Sequence, residues 1–455
     1  AVTWAPTVIK QNGLYYMYHG VNADVSMGGS EYACSSIVLA IASNAKGPFY
    51  PASYISSYTG SNSTVKAIKS TLEALGVEYK QNFLVRYCPF DIGAKGSITS
   101  ETLGSNGAEI DGTEFSIPDY SKCNNNRYGC IDPEFVYDIS TGEIKTYTIG
   151  SNTCYAMTYG SWLNGIVLCY VDADSLKPVA LGNFTYNDVS YTLGDEMDIS
   201  FDEAACTTSV SNAMIGHSNS SSSDRFLLLG VPLIGGASSS GTPSNTASTA
   251  YEGAQLIYNS ETNYYYMITS CGALKWEYRC AIGRSSSING EYDDAGGVDM
   301  WLGTSKYAKY HEIGSKIIGS HVLESEYSFR SQGGLSVLRT KNGKIMFACH
   351  SRTNFQPEYY FYLQCHQMFF NSEGWPVLNQ NEYYDSYSGI TDDGSESFTA
   401  LSLSKIAGTY YTIMTVRGTT TSTAAACGLY GGDSTSVNEE DATPTTSREI
   451  VISSS

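Results

Sequence analysis

Short apolar runs separated by turn residues recur along this chain, and the alternation of apolar and polar positions within them is typical of β-strands. The first is WAPTVIKQNGLYYMYHG at residues 4–20, where an Asn-Gly pair joins two such runs. Asn-Gly between alternating runs is the strongest short-range signal of a β-hairpin. A third run, SSIVLAIAS, follows at residues 35–43. The pattern therefore predicts a unit of three or four antiparallel strands.

The same unit returns further along the chain. Its later copies begin with IDPEFVYD at residue 131, YEGAQLIYN at residue 251, GGLSVLRT at residue 333 and, more loosely, FTALSLSKIAGTYYTIMTV at residue 398. Repeats of three or four short strands are the sequence signature of propeller blades. We therefore predict an all-β, five-bladed β-propeller, with four blades clearly visible in the sequence.

The repeats also predict the domain organisation. Residues 1–378 form the propeller, with insertions at 55–127 and 207–250. The first insertion contains a single helical pattern, TVKAIKSTLEALGVEY, and the second is rich in Ser, Gly and Thr. Residues 379–455 form a C-terminal β segment, which is either the fifth blade or a small separate module with a Ser/Thr-rich tail.

Charge and composition exclude several classes of partner. The net charge of −19 argues against nucleic acid and anionic membrane surfaces, because both need clustered Lys and Arg. The sequence contains no run of about 18 apolar residues, so it predicts no membrane-spanning helix. The 44 Gly and 37 Tyr residues suit strands and turns. A neutral polysaccharide remains compatible, since stacking and hydrogen bonding do not depend on net charge.

The 12 cysteines indicate an oxidising, secreted location, with buried thiols as the alternative. Several cysteines lie where antiparallel partners or a small loop would bring them together, which favours disulfide bonds, although the sequence does not determine the pairing; the pairs so placed are Cys271–Cys280, Cys349–Cys365, Cys154–Cys169 and Cys123–Cys130. Triplets beginning at Asn62, Asn183 and Asn219 are glycosylation acceptors if the host is eukaryotic. No signal peptide is visible, and since the chain starts almost inside a strand motif we expect it to be processed or incomplete at its N-terminus.

Two carboxylates occupy matching places in two repeats. Asp132 opens the second unit and Glu252 opens the third. Pro133 lacks an N–H, so Asp132 suits the first residue of a strand. A strand cap and a surface glutamate are the alternative interpretations of the two acids. Because blade entrances meet at one end of a channel, we expect the two acids to converge there, as glycoside hydrolysis requires.

The segments WAPTVIKQNGLYYMYHG, IDPEFVYD, YEGAQLIYNSETNYYYMITS and AIGRSSSINGEYDDAGGVDM resemble glycoside hydrolase family 43. The likeness is to its arabinan endo-1,5-α-L-arabinosidases, and it covers roughly residues 1–378. It implies a five-bladed propeller and an inverting mechanism with three acidic residues. By motif match, Glu252 takes the place of the general acid, and Asp132 that of the residue that tunes and orients this acid.

The resemblance also implies a general base that this chain does not match. In the family the base is an Asp ahead of the Trp-Ala-Pro unit, whereas this sequence begins at Ala1. Thr7 stands where the family usually has an Asp after Trp-Ala-Pro, and Ala254 stands where it usually has a Pro after Glu-Gly. Three explanations stay open. The first blade is missing from the sequence as supplied, the region 396–416 supplies it, or the protein has given up catalysis.

Substrate and metal residues follow from the same resemblance. By this resemblance Trp4 lies near the sugar subsites, where its indole would stack on an arabinose ring. The alternative is that Trp4 is a buried structural residue. Tyr251 and His350 are further candidates for binding the substrate. The family's channel ion, calcium or sodium, is held by a His whose matching position here is Gly334. His321 and His350 are its substitutes, although a lone His is more often structural. We therefore assign no metal ligand and no certain cofactor.

The leading prediction is a secreted, extracellular glycosidase that acts on arabinan or a related plant or algal polysaccharide. The first alternative is an inactive family member that binds glycans or builds an extracellular assembly. The second is a propeller that binds other proteins, because fold alone does not determine function.

Overall fold

The computed structural model describes residues 2–22, 35–80, 83–86, 90–97, 114–118, 131–160, 166–186, 189–197, 231–234, 251–272, 278–300, 314–319, 321–322, 328–353, 361–379, 383, 408–410 and 450–452. Strands dominate these residues, as the sequence predicts. In chain order they are β1 Val2–Gln11, β2 Leu14–Asn22, β3 Ser35–Ala42, β4 Tyr50–Pro51, β5 Phe83–Arg86, β6 Phe90–Ser97, β7 Glu114–Pro118, β8 Glu134–Phe135, β9 Tyr137–Asp138, β10 Glu143–Ile144, β11 Thr146–Ile149, β12 Asn152–Tyr159, β13 Ile166–Asp172, β14 Phe184–Tyr186, β15 Val189–Tyr191, β16 Val231–Ile234, β17 Tyr251–Asn259, β18 Tyr264–Cys271, β19 Arg279–Ser285, β20 Ser315–Gly319, β21 His321–Val322, β22 Ser328–Arg339, β23 Ile345–Thr353, β24 Tyr362–Phe370, β25 Pro376–Leu378, β26 Gly408–Tyr410 and β27 Ile450–Ile452.

Four sheets correspond to four of the predicted blades, and the all-β class is confirmed. The first sheet has the order β1-β2-β3-β4, with β5 also paired to β3. The second has the order β11-β12-β13-β16, with β8 also paired to β12. The third has the order β10-β9-β17-β18-β19-β20, and the fourth has β21-β22-β23-β24-β25. Three two-stranded ladders, β6-β7, β14-β15 and β26-β27, complete the described pairings.

The helical prediction for the first insertion is confirmed, although the helix is shorter than its sequence pattern. Helix α2 covers Ser63–Ala74 and follows a short helix α1 at Ala52–Ser57, which the sequence analysis missed. The side chain of Asn62 caps α2 by accepting hydrogen bonds from the N–H groups of Thr64 and Val65. Gly76, at φ +71°, ends it. Asn62, a predicted glycosylation acceptor, is thus used as a helix cap.

The chain divides into two compact units. The first comprises Ala1–Gly272, Ala281–Ser315 and Gly334–Val337, and the second Ala273–Cys280, Lys316–Gly333 and Leu338–Ser455. The predicted boundary at residue 378 lies within the second unit. Few residues beyond it are described, so the nature of the 379–455 segment stays a prediction.

Within the first unit, adjacent sheets pack face to face. One apolar cluster joins the first sheet and α2 to the second sheet, through residues such as Tyr18 and Phe135. Their rings meet edge to face at 5.7 Å. Another cluster joins the second sheet to the third, through residues such as Leu168 and Leu256. This packing is what aligns the entrances of β1, β8 and β17.

The second insertion differs from its prediction at one place. Strand β16, Val231–Ile234, lies inside 207–250 and pairs with β13 as the outer strand of the second sheet. Leu233 is fully buried in the apolar cluster. Its apolar side chain therefore outweighs the Ser- and Gly-rich composition around it.

The disulfide prediction is wrong for the described cysteines. These six are thiols: Cys154, Cys169, Cys271, Cys280, Cys349 and Cys365. The strand register gives the reason in the second sheet, because Cys154 lies opposite Asp172 whereas Cys169 lies opposite Met157. The two sulfurs are thus three positions apart along the strand, about 10 Å, which no disulfide spans.

The fourth sheet separates its two cysteines in another way. Cys349 lies opposite Gln364, so Cys365, one residue further along β24, projects from the other face of the sheet. The predicted pair Cys123–Cys130 lies outside the described residues, as does the glycosylation acceptor Asn219. No helix in the described part of the chain has the length and apolar character needed to cross a membrane.

Candidate active site

The strand entrances of the repeats share an unusual backbone conformation. Ala5, Asp132, Gly253 and Gly334 all have positive φ, at 49°, 55°, 55° and 59°. In the first and third sheets the pairing register shifts at this point, between Trp4 and Thr7 and between Glu252 and Gln255. Such bulges bend a strand and re-aim its side chains. The repeated bulge therefore places the neighbouring side chains in equivalent positions at each entrance.

The structure brings the entrances of β8 and β17 together. The backbone N–H of Gly253 donates a hydrogen bond to Oδ2 of Asp132 over 3.2 Å. Gly253 directly follows Glu252 in β17, so this contact draws the segment that carries Glu252 to the Asp132 carboxyl group. Gly253 has no Cβ, and one added there would meet Asp132 Oδ2 at 3.9 Å. The two predicted acids therefore lie in one site.

The charge of Glu252 acts on the Asp132 carboxyl group. Burial, together with the charge of Glu252, raises the pKa of Asp132 to about 7, and the Gly253 N–H partly opposes this rise. Like charges that interact disfavour double ionisation, so Asp132 keeps its proton to a higher pH than a free Asp does. Such an arrangement can deliver a proton to a leaving group.

Polar groups hold the backbone around Glu252. Ser270 lies opposite Glu252 in the β17–β18 pair, and its Oγ accepts a hydrogen bond from the N–H of Gly334 at 2.9 Å. Thr269 donates its Oγ1–H to the carbonyl of Glu252 at 3.0 Å. Ser270 and Thr269 are both fully buried. These bonds fix the strand ends that carry the candidate acid.

A third carboxyl group, missed by the sequence analysis, lies two residues after Asp132. The Oε1 atom of Glu134 accepts a hydrogen bond from Thr7 Oγ1 over 3.3 Å. Burial raises the pKa of Glu134 to about 8, and the Thr7 hydrogen bond partly opposes this. The available signal was its place in the repeat, because Glu134 lies two positions after Asp132 just as Gln255 lies two positions after Gly253.

Two of the predicted substrate-binding residues, Tyr251 and Trp4, are described to different extents in the structure. Tyr251 is 1% exposed and packs in the apolar cluster between the second and third sheets. Its ring therefore lines the core behind Glu252 and presents no open face to a sugar. Trp4 lies in β1 with its backbone opposite Gly20, and its side chain lies outside the described residues.

His350 belongs to an aromatic cluster in the second unit. Its ring stacks on Tyr278 at 5.6 Å and meets Phe361 edge to face at 4.9 Å. The guanidinium of Arg352 lies over Phe361, 4.0 Å from the ring centre. Burial and the Arg352 charge lower the pKa of His350 to about 4. Phe361 is 49% exposed and Leu363 72%, so the cluster opens onto solvent.

The described residues do not fit the channel metal ion that the resemblance implies. No group of three or more His, Cys, Asp and Glu side chains among them lies close enough to hold a metal. Gly334 has no side chain to offer, and the charge of Arg352 beside His350 opposes a cation. The side chain of His321 lies outside the described residues. The roles proposed below for the acidic residues therefore involve no metal ion.

Comparisons with known proteins give a consistent result. No family model matches the chain. An extracellular endo-α-(1→5)-L-arabinanase of Thermotoga petrophila is 28% identical over 172 residues, which are 36% of this chain and 34% of the relative. The extracellular endo-α-(1→5)-L-arabinanase 2 of Bacillus subtilis is 30% identical over 145 residues, 29% of this chain and 31% of the relative. The matched part thus spans about a third of the length of these curated relatives.

Among solved structures, the glycoside hydrolase family 43 protein YxiA from Bacillus licheniformis has a TM-score of 0.47 and 19% identity, over 84% of this chain and 60% of that one. The curated relatives match in sequence, independently of this likeness. By these sequence matches the chain is similar to extracellular endo-arabinanases, and the likeness to arabinanases predicted from its motifs is confirmed.

Proposed function

We propose that this protein is a secreted glycoside hydrolase that cleaves arabinan or a related plant or algal polysaccharide with inversion. The observation that supports this most is the contact between the Asp132 carboxyl group and the entrance of β17, together with the electrostatic coupling of Asp132 to Glu252. Two coupled carboxyl groups that share a proton are the acid half of such a mechanism.

In the proposed mechanism, Glu252 protonates the oxygen of the leaving sugar. Asp132 and Glu252 are coupled and hold one proton between them, and the reacting form of the pair has that proton on Glu252 and the negative charge on Asp132. An inverting enzyme also needs a base that activates water on the opposite face of the sugar. The resemblance places this base ahead of the Trp-Ala-Pro unit, and no described residue is assigned to the role.

The names of the sequence relatives support the substrate class and the location. Both curated relatives are named extracellular endo-α-(1→5)-L-arabinanases. A neutral arabinose polymer also suits a chain of net charge −19, because it carries no charge to repel.

A glycan-binding protein without turnover is the second candidate. It is favoured by the solvent-exposed Phe361 beside His350 and Arg352, since an aromatic ring and a guanidinium group are typical contacts for a sugar face. In this case the polysaccharide binds and stays intact.

One experiment separates the two candidates. The purified protein is incubated with linear arabinan, and the products are followed by reducing-sugar release and by NMR of the first anomer formed. The proposed function predicts soluble arabino-oligosaccharides with inverted configuration. Binding in affinity electrophoresis without sugar release would favour the second candidate, and neither binding nor release would contradict both.

A further inference from the structure

Glu134, which is half-buried, holds the same place in its repeat as two buried polar residues. Each lies two positions after the positive-φ residue at a strand entrance; the three are Thr7, Glu134 and Gln255. Thr7 is 5% exposed and Gln255 1%. Buried polar side chains persist where a hydrogen bond compensates their desolvation. Their recurrence therefore indicates a common structural task.

That task is to join the innermost strand of one sheet to that of the next. Gln255 donates its Nε2–H to the carbonyl of Val337 at 3.0 Å, and its Oε1 accepts the N–H of Val337. Thr7 Oγ1 donates to Glu134 Oε1. The first bond runs from β17 to β22 and the second from β1 to β8. Both cross between neighbouring sheets at the entrance level.

Glu134 differs from its two counterparts because it can ionise. Thr7 is the one side chain found donating to its carboxyl group among the described residues. The titratable group that faces it from β9 is Tyr137, and the neighbouring acid on its own strand is Asp132. No cation is found beside it in the described part of the chain. A neutral carboxylic acid matches this setting, as the neutral Thr7 and Gln255 do.

Glu134 is also linked to both candidate catalytic acids. Only Pro133, with its fixed φ, separates it from Asp132. Thr158 on β12 donates its Oγ1–H to the carbonyl of Ala254 at 2.8 Å and contacts the carbonyl of Glu134 at 3.4 Å. The backbones of β8 and β17 are thus held at a shared point. A shift of Glu134 would move Asp132 relative to Gly253.

We propose that Glu134 is a positioning residue: as a neutral acid it accepts the Thr7 hydrogen bond and so holds Asp132 against the strand that carries Glu252. Ionisation places an uncompensated charge between β1 and β8 and loosens the pair of acids. The effect on catalysis rests on the proposed function, whereas the effect on stability does not.

The sign of the pH effect follows from linkage. The pKa of Glu134 is raised to about 8 in the folded protein and is about 4.3 in the unfolded chain. Between these values the folded state holds a proton that the unfolded state has lost, so stability falls as pH rises through this window. Glu134→Gln keeps the shape and the acceptor but cannot ionise. Its melting temperature should match that of the wild type at pH 4.5 and exceed it by about 3 °C at pH 8.5.

The experiment compares the wild type with Glu134→Gln, Glu134→Ala and, as an exposed control, Glu261→Gln. Melting temperatures are measured from pH 4.5 to 9, and hydrogen exchange of the Gly253 amide is followed by mass spectrometry. After correction for the intrinsic rise of amide exchange with pH, we expect Gly253 to be less protected in the wild type at pH 8.5 than at pH 6, equally protected at both pH values in Glu134→Gln, and weakly protected at both in Glu134→Ala. In arabinan hydrolysis, Glu134→Gln should extend the alkaline limb by about one pH unit.

The outcomes separate this inference from the proposed function. Identical pH dependence of melting and of exchange in the wild type and Glu134→Gln would overturn the inference, whether or not arabinan is cleaved. The expected shifts in a protein that leaves arabinan intact would overturn the hydrolase proposal and support the role of Glu134. An effect of Glu261→Gln equal to that of Glu134→Gln would also overturn the inference about Glu134, because the effect would then not be local.

Discussion

Gly253 donates its backbone N–H to Oδ2 of Asp132 over 3.2 Å, which ties the entrance of the third sheet to that of the second. Because Gly253 directly follows Glu252, the contact joins the two acidic positions that are 120 residues apart in the sequence. The charge of Glu252 in turn raises the pKa of Asp132. Hydrogen bonding and titration of the site are therefore coupled, and both can be tested.

Replacing Asp132 by Asn should change how stability depends on pH. Burial and Glu252 raise the pKa of Asp132 to about 7, whereas it is about 3.9 in an unfolded chain. Wild-type stability is therefore lost as pH rises between these values. Asn keeps an acceptor for the Gly253 N–H and does not titrate. In urea unfolding, Asp132→Asn should gain about 2 to 4 kcal/mol over the wild type between pH 4 and pH 7; parallel curves would contradict the assigned environment.

Removing the hydroxyl of Ser270 should destabilise the entrance of the third sheet. Ser270 is fully buried, and its Oγ accepts the N–H of Gly334 at 2.9 Å. Ser270→Ala leaves that N–H without this acceptor, which costs about 1 to 3 kcal/mol in the free energy of unfolding. Ser286→Ala, at an exposed position, is the matched control and should change stability by less than about 0.5 kcal/mol. Equal effects in the two variants would argue against the Ser270 contact.

Two glycines should differ in their tolerance of alanine. At Gly253 an added Cβ meets its nearest atoms at 3.9 Å, so Gly253→Ala bears only the strain of φ +55°, about 1 to 2 kcal/mol. At Gly194, with φ +92°, the Cβ would lie 2.4 Å from the carbonyl oxygen of Ile149. Gly194→Ala should therefore lower the melting temperature more than Gly253→Ala. The reverse order would contradict the packing described for these positions.

The described cysteines should react as thiols. Cys154 and Cys169 lie opposite different residues in the strand register and are not joined. Alkylation of the protein unfolded without reductant should label both, as measured by peptide mass spectrometry. Reduction of Cys154 and Cys169 should make no contribution to any change in melting temperature on addition of reductant. A peptide pair cross-linked through Cys154 and Cys169 would show that the register is wrong.

The hairpins and the acid pair were predictable because each has a local signal. The Asn12-Gly13 turn determines the first hairpin, and apolar residues at helical spacing with Asn62 as cap determine α2. Asp132 and Glu252 stand at the entrances of their repeats, where the backbone takes the same positive φ at Asp132 and Gly253. Periodicity, turn chemistry and repeat position thus carry much of the fold.

Other features depend on contacts between sheets, which a single sequence does not specify. The Thr7–Glu134 hydrogen bond joins residues 127 positions apart. Strand β9 pairs in parallel with β17 of the third sheet, although it follows β8 of the second by one residue. The disulfide prediction for the described cysteines was wrong for the same reason, because near-symmetry about a turn does not determine the pairing register of the two strands.

The rate of arabinan hydrolysis by Glu252→Gln, compared with the exposed control Glu261→Gln at pH 6, tests the central claim most directly. Gln keeps the size of the side chain at position 252 and removes its proton, so we predict a loss of at least about 100-fold in kcat in a protein that stays folded. The control should retain the wild-type rate. Full activity of Glu252→Gln would contradict the assignment of Glu252 and Asp132 as the acid pair of a glycosidase.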